Sequence, residues 1–153
     1  MTNSKDEGNE KNPTNGALTA QLVRDDVIVE YRADEITLKK IPFGYLLHTT
    51  MRGSNVVYME FHLPEGITGN RDKYIFSNPD GQATAICELK YTSDTAPLRF
   101  QASSGEITFY EFDTVTENVH ARFYVRATGT NNRLLQINGG EMRLFGIGLA
   151  DNK

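Results

Sequence analysis

Hydrophobic and polar residues alternate along most of the chain, over residues 27–145, and short clusters of turn-forming residues separate the alternating segments. Alternation with a period of two is typical of strands that bury one face, and no segment of helix length carries the 3.6-residue period of a helix. We therefore expect an all-β fold, either an antiparallel β-sandwich or a partly open barrel of about ten strands. The predicted strands are residues 18–23, 27–31, 35–41, 45–51, 56–63, 73–77, 84–91, 98–101, 106–113, 120–128, 134–137 and 141–145.

The segment Arg52-Gly53-Ser54-Asn55 predicts a hairpin, because glycine readily adopts the positive φ that tight turns need. If Met51 faces Val56, the two faces of this hairpin are fixed, since side chains alternate along a strand. The face that we assign to the core carries Leu46, His48, Thr50, Val57, Met59 and Phe61, and the opposite face carries Tyr45, Leu47, Thr49, Tyr58, Glu60 and His62.

Two further glycine-containing segments interrupt predicted strands. Ser103-Ser104-Gly105 predicts a tight turn between residues 98–101 and residues 106–113. Gly139-Gly140 lies inside the last alternating segment, where a glycine pair weakens the ladder and predicts a bulge or a break.

The strand at residues 120–128 has an apolar row, Ala121, Phe123, Val125 and Ala127, which predicts its buried face. Its partner, residues 106–113, offers two phases, and we choose Thr108, Tyr110 and Phe112 because the other phase would bury the carboxylate of Glu111. The opposite face then carries a mixed aromatic and charged strip, Phe109, Glu111, Arg122, Tyr124 and Arg126.

This strip is the candidate ligand-binding surface, because aromatic rings beside guanidinium groups can stack on sugars or hold carboxylates. In the alternative interpretation, its aromatic members face a second layer of the fold and its arginines are simply solvated. The ligand class that we expect is a glycan, a peptide or another protein.

The chain has 153 residues and a formal net charge of -4. That length suits one domain with its own core, for which we expect residues 17–153. The charge leaves no basic excess for neutralising phosphates, so nucleic acid is not an expected partner. No apolar stretch approaches 18 residues, so we expect no transmembrane segment. The single cysteine, Cys87, lies in the apolar phase of a strand and is expected to be a buried, inert thiol.

No nucleotide-binding or catalytic motif is present: the sequence lacks a Walker loop, an HExxH helix and a GxSxG elbow. The three histidines, His48, His62 and His120, are not expected to converge, so we predict no metal site, no catalytic residue and no cofactor. These features favour a non-enzymatic binding or surface-interaction module. The alternatives are a small hydrolase-like β-barrel enzyme and a structural subunit that assembles through strand edges, which would be an oligomer.

Residues 1–16 read MTNSKDEGNEKNPTNG, a polar segment without the apolar region of a signal peptide. We expect a disordered tail. It is either a frayed end of no consequence or the spacer that followed a removed export signal.

The carboxy-terminal half carries a pattern of Ser-Gly, a hydrophobic strand that ends in an acidic residue, a second alternating strand, and a last strand that opens near Asn-Gly. In this pattern the chain resembles small bacterial envelope lipoproteins, which have a β-sandwich domain behind a lipidated cysteine and a polar spacer. The resemblance implies an extracytoplasmic location, at the cell surface or in the periplasm, although a cytoplasmic location stays open. The chain departs from the family by having Ala121 in place of glycine and by lacking the lipid-bearing cysteine. The matching residues are Ser104-Gly105-Glu106-Ile107-Thr108-Phe109-Tyr110-Glu111-Phe112-Asp113, Ala121-Arg122-Phe123-Tyr124-Val125 and Ile137-Asn138-Gly139-Gly140-Glu141.

Overall fold

A computed structural model describes residues 14–53, 55–76, 83–91 and 97–149. The predicted tail at residues 1–16 therefore lies almost entirely outside the described residues. The secondary structure of these described residues consists of strands and one 3-10 turn at Thr130–Asn132. The strands are β1 (Asn15–Arg24), β2 (Val27–Arg32), β3 (Glu35–Ile41), β4 (Gly44–Met51), β5 (Asn55–Pro64), β6 (Asp72–Ile75), β7 (Thr84–Tyr91), β8 (Leu98–Asp113), β9 (Asn118–Gly129), β10 (Leu134–Phe145) and β11 (Gly148–Leu149).

All of these strands belong to one sheet, in the order β11-β3-β4-β5-β7-β8-β9-β10-β1-β2, and β6 pairs with β8 beside that path. Among these strands, only the pair β11 and β3 is parallel. The sheet curls into a half-barrel. The all-β prediction is thus confirmed, in its barrel form. Within the described residues, no helix is long and apolar enough to cross a bilayer.

Bulges and a contact between distant strands shape the half-barrel. The register shifts once in β1, twice in β8 and once in β10, and each bulge adds local twist and bend to its strand. Near the start of β1, the Ala33 amide donates to the carbonyl of Leu18 at 3.0 Å, and the Leu38 amide donates to Thr14 Oγ1 at 3.0 Å. The beginning of β1 therefore lies against β3, which brings two distant parts of the sheet together.

Aromatic rings pack against one another in the core of the sheet. The ring centroids of Phe61 and Phe123 are 5.2 Å apart, and those of Phe109 and Phe112 are 5.5 Å apart, both at the steep interplanar angles that aromatic pairs prefer. Cys87 is buried as predicted, and burial raises the pKa of its thiol to about 12, so the thiol stays protonated and unreactive.

One buried polar pair lies among these apolar side chains. Tyr31 from β2 and Thr49 from β4 are almost fully buried, and their hydroxyl oxygens lie 2.7 Å apart. Burial raises the pKa of Tyr31, because a phenolate would be costly there. The pair ties the last strand of the sheet order to the opposite side of the half-barrel.

The predicted buried face of the β4–β5 hairpin is wrong for β4 and correct for β5. Met51 pairs with Val57 and not with Val56, so β4 is shifted by one residue and every side chain of β4 changes face. The buried residues of β4 are therefore Tyr45, Leu47 and Thr49, whereas Val57, Met59 and Phe61 of β5 are buried as predicted. His48, assigned to the core, lies on the outer face with a side chain that is 42% exposed.

The predicted phase of residues 106–113 is wrong as far as Tyr110, whereas Phe112 is buried as predicted. Ile107 and Phe109 are completely buried, whereas Tyr110 is 38% exposed. A bulge between Phe109 and Glu111 lets Tyr110 and Glu111 both lie outside, after which Phe112 returns to the core. On the sequence alone, the phase of Ile107 and Phe109 is rejected because it would bury the carboxylate of Glu111. The bulge avoids that cost, since Phe109 is buried while Glu111 stays exposed. On β9, Ala121, Phe123, Val125 and Ala127 are buried as predicted.

Three predicted boundaries have different outcomes. No turn forms at residues 103–105: β8 continues through them with a bulge between Ala102 and Ser104. A bulge in β10 between Ile137 and Gly140 confirms the prediction for the glycine pair. β1 begins at Asn15, so Asn15 and Gly16, which were assigned to the tail, belong to the sheet. Just before them, the hydroxyl of Thr14 donates to the carbonyl of Gly146 at 3.0 Å.

Candidate functional site

A pocket of about 390 Å³ lies inside the half-barrel, between β2 and the tip of the β4–β5 hairpin. We call it the mouth pocket. Six strands contribute to it, because β1, β2, β4, β5, β7 and β10 each place at least one side chain on its wall. Its apolar wall is formed by Leu22, Val27, Val29, Met51, Val57, Leu89 and Leu135, and Arg24, Arg52 and Gly53 complete the lining.

Two arginines bring positive charge to the mouth pocket. The guanidinium group of Arg52 donates to both carboxylate oxygens of Glu35, at 3.0 and 3.3 Å, which fixes its direction. The backbone amide of Arg52 donates to Asp34 Oδ2 at 2.7 Å, which holds the start of the loop. Arg24 lines the pocket from the end of β1. The pocket thus combines an apolar wall with two guanidinium groups, of which that of Arg52 is paired with the Glu35 carboxylate.

Sequence reasoning missed the mouth pocket, because its lining residues look like ordinary core positions. Leu22, Leu89 and Leu135 lie in the apolar phase of their strands and are at most 8% exposed. The usable signal in the sequence was the apolar run on β2, since Val27, Ile28 and Val29 are consecutive and do not alternate with polar residues. The pocket arises where β2 and the hairpin tip leave a gap, which depends on the curl of the sheet.

A second depression, of about 500 Å³, lies on the convex side over β8, β9 and β10. We call it the outer cleft. Its lining comprises Glu106, Thr108, Arg122, Phe123, Tyr124, Gly139, Gly140 and Glu141. The β10 bulge forms part of this lining. Gly140 cannot carry a side chain here, because a Cβ would lie 2.4 Å from the ring of Phe123.

Glu141 is the electrostatic centre of one end of the outer cleft. Its Oε2 lies 3.1 Å from His120 Nε2, 3.4 Å from Arg143 Nε and 3.9 Å from Arg122 Nε. The hydrogen bond from His120, with the charges of Arg122 and Arg143, holds the pKa of Glu141 below its usual value. The guanidinium group of Arg122 also lies over the Tyr110 ring, 5.8 Å from its centroid.

The structure separates the five predicted ligand-binding residues. Arg122 and Tyr124 line the outer cleft, and Tyr124 donates to Glu106 Oε2 at 3.4 Å. Glu111 and Arg126 are exposed but do not line the cleft. Phe109 is completely buried, so its predicted exposure is wrong. The cleft residues Glu106, Glu141, Gly139 and Gly140 were missed, since the predicted pairing joins β9 only to residues 106–113, whereas β10 places Glu141 opposite Arg122.

The prediction that the histidines do not converge is wrong for His48 and His62. Both lie on the outer face of the β4–β5 hairpin, where their Nε2 atoms approach the two carboxylate oxygens of Glu60 at 3.4 and 2.8 Å. The hydroxyl of Tyr58 also donates to Glu60, at 3.0 Å. Burial alone would raise the pKa of Glu60, but the hydrogen bonds from His62 and Tyr58 outweigh it and keep the pKa low.

This Glu60 cluster is satisfied by its own members, since each histidine has a carboxylate oxygen and Glu60 has three neighbours. Within the described residues, no group of three or more His, Cys, Asp or Glu side chains is placed to hold a metal ion. We therefore interpret the Glu60 cluster as a polar network on the outer face of the sheet.

Comparison of the chain with protein-family models, with curated proteins and with solved structures finds no match in any of the three.

Proposed function

We propose that this protein is a non-enzymatic binding module that takes a small amphipathic ligand into the mouth pocket. The observation that supports this proposal is an apolar-walled space of about 390 Å³ at the mouth of a half-barrel. Pockets that bind small molecules have volumes of roughly 300–1,000 Å³, are mostly apolar, contain a few placed polar groups, and occur at the mouths of β-barrels.

The lining of the mouth pocket favours an apolar body with one anionic or hydrogen-bond-accepting group. The wall offers aliphatic and thioether surface, which gains free energy by excluding water from an apolar ligand. Arg24 and Arg52 are the polar side chains of the described lining, and guanidinium groups are donors only. A straight-chain carboxylate fits this description, since its chain would lie against Leu22, Leu89 and Leu135 while its carboxylate accepts from an arginine.

The proposal is tested with the fluorescent probe 1-anilinonaphthalene-8-sulfonate, which is apolar and anionic, followed by its displacement with decanoate. We expect saturable binding with one site per chain. Leu135→Trp fills the pocket from the wall and should weaken probe binding by about tenfold or more, equivalent to about 1.4 kcal/mol. Because the chain has no tryptophan, the new indole also reports ligand entry through its own fluorescence.

The matched control is Leu134→Trp, because Leu134 is the neighbouring residue, is 64% exposed and does not line the pocket. This variant should bind the probe like the original protein. If Leu135→Trp does not fold, Met51→Trp fills the same pocket from the hairpin end. Absence of saturable binding in a folded sample, or equal weakening in both leucine variants, would refute the proposal.

A second candidate function is supported by the outer cleft, which fits a hydroxylated ligand such as a glycan. Tyr124 is 43% exposed and offers a ring for stacking, and Glu106, Glu141 and Arg122 offer hydrogen bonds around it. Glycan-array binding that is lost in Tyr124→Ala but kept in Leu135→Trp would support this function. Loss in the second variant alone would instead support the mouth pocket.

We also propose that the protein is exported and associated with the cell envelope. The support for this is the resemblance of residues 104–113, 121–125 and 137–141 to envelope lipoproteins. Fractionation of producing cells tests it, and recovery of the protein in the cytoplasm alone would refute it.

A further inference from the structure

β2 has an unusual surface for an edge strand. It pairs with β1 and, within the described residues, with no other strand. Its residues Val27, Ile28 and Val29 are 58%, 61% and 39% exposed. Edge strands are usually protected from pairing with another chain by charges, prolines or covering segments, and here three consecutive exposed aliphatic residues lie between the charged residues Asp26 and Glu30.

The hydrogen-bonding pattern of β2 shows which backbone groups face away from β1. Arg24 and Val27 flank a two-residue turn, so they form a hydrogen-bonded pair, and Val29 and Tyr31 follow in the same phase. The amides and carbonyls of Ile28, Glu30 and Arg32 therefore point outward. The Arg32 amide confirms this direction, since it donates to Met51 Sδ at 3.3 Å.

We propose that β2 pairs with β2 of a second copy of this chain, forming an antiparallel dimer across a two-fold axis at Val29. In this register Ile28 of each chain exchanges backbone hydrogen bonds with Glu30 of the other, which gives four hydrogen bonds in total. The two Val29 side chains then face each other as a non-hydrogen-bonded pair, in which side chains approach closely.

Charge complementarity selects this register and this occupant. With the axis at Val29, Arg32 of each chain lies opposite Asp26 of the other, so two opposite-charge pairs form. An axis at Glu30 would place the two Glu30 carboxylates opposite each other and would require the Arg32 amide, which Met51 already occupies. An axis at Ile28 would place Glu30 opposite Asp26. Like charges directly opposite each other destabilise a pair of strands, so of these three registers only the one with its axis at Val29 is favourable.

The hydrogen-bonding edge at Ile28 and Glu30 is not part of the described lining of the mouth pocket, but Val29 both lines the pocket and lies at the dimer axis. The two proposals are therefore tested by separate measurements, each of which can fail alone. Probe binding reports the pocket, and sedimentation without any ligand reports the dimer.

The test is a charge reversal read by analytical ultracentrifugation of the full chain. Asp26→Arg and Arg32→Asp, each alone, create two like-charge contacts and should raise the dimer dissociation constant by about tenfold or more. The double variant restores two opposite-charge pairs and should return the constant to within about threefold of the original. The control is Lys39→Asp, which makes the same charge change as Arg32→Asp but on β3, and it should leave the dimer dissociation constant unchanged.

A second measurement fixes the register. Hydrogen exchange of the Ile28 and Glu30 amides should slow as protein concentration rises, whereas Val27 and Val29 are already bonded to β1 at every concentration. A monomer at all concentrations would overturn the proposal. So would a dimer that the single reversals do not weaken, or that the double variant does not restore. Should one single variant fail to fold, the other and the double variant still decide.

Discussion

The β4–β5 and β8–β9 hairpins divide their side chains between a buried and an outer face in different ways. The first pairs without interruption from Gly44 and Pro64 to Met51 and Val57, so each face keeps one phase throughout. The second contains two bulges, after Ala102 and after Phe109. The regular hairpin requires a sequence with clean alternation, whereas the bulged hairpin can bury aromatic residues on both sides of a carboxylate.

The consequences differ on the outer face. The regular hairpin aligns its polar residues in one phase, and His48, Tyr58 and His62 meet at Glu60. The bulged strands place Tyr110 and Glu111 outside together, and the β10 bulge adds the glycines that line the outer cleft. Regular pairing thus gives a compact network, and bulges give a depression.

The largest effect is expected from Phe109→Ala in the bulged hairpin. Phe109 is completely buried and contacts Phe112 and Tyr74 through its ring, so its loss should lower the free energy of unfolding by about 3–5 kcal/mol. Chemical denaturation measures it. Tyr110→Ala is the control, because Tyr110 is 38% exposed, and it should cost about 1 kcal/mol or less. A larger loss for Tyr110 would mean that the alternative phase is the buried one and that the bulge is absent.

A smaller effect is expected from Thr49→Val in the regular hairpin. The substitution preserves volume but leaves the buried Tyr31 hydroxyl without its 2.7 Å partner, which should cost about 1–3 kcal/mol. Thr50→Val changes the neighbouring, less buried residue and should cost less.

The double variant Tyr31→Phe with Thr49→Val sharpens this prediction. It removes both polar groups, so it should be more stable than Thr49→Val alone. If the double variant is as unstable as the sum of the single variants, Tyr31 and Thr49 do not act as a pair.

The smallest effect concerns the pH dependence of the Glu60 cluster. Because the folded protein holds the pKa of Glu60 below its unfolded value near 4.5, the ionised carboxylate stabilises the fold at neutral pH, and this contribution is lost as pH falls below about 4.5. Glu60→Gln should therefore lower the free energy of unfolding at pH 7, by less than about 1 kcal/mol given partial exposure, and the difference should shrink at pH 3.

Glu111→Gln on the bulged strand is the control for this measurement, because Glu111 is exposed and contributes to no ion pair that the structure describes. Its stability should follow that of the original protein across the pH range. An equal pH dependence in both variants would argue against the Glu60 cluster as its source.

The sequence by itself determined the fold class, the apolar row on β9, the buried thiol of Cys87 and the bulge at Gly139-Gly140. These features follow from local chemistry: a period of two, an apolar phase, and the absence of a side chain at a glycine pair. The tertiary structure decided the register of β4, the side on which Phe109 lies, and the meeting of His48 and His62 at Glu60. A shift of one residue or one bulge reverses a face at little local cost, so only packing across the whole sheet selects between phases. The mouth pocket likewise depends on the curl of the sheet, which sums small twists from strands far apart in the chain.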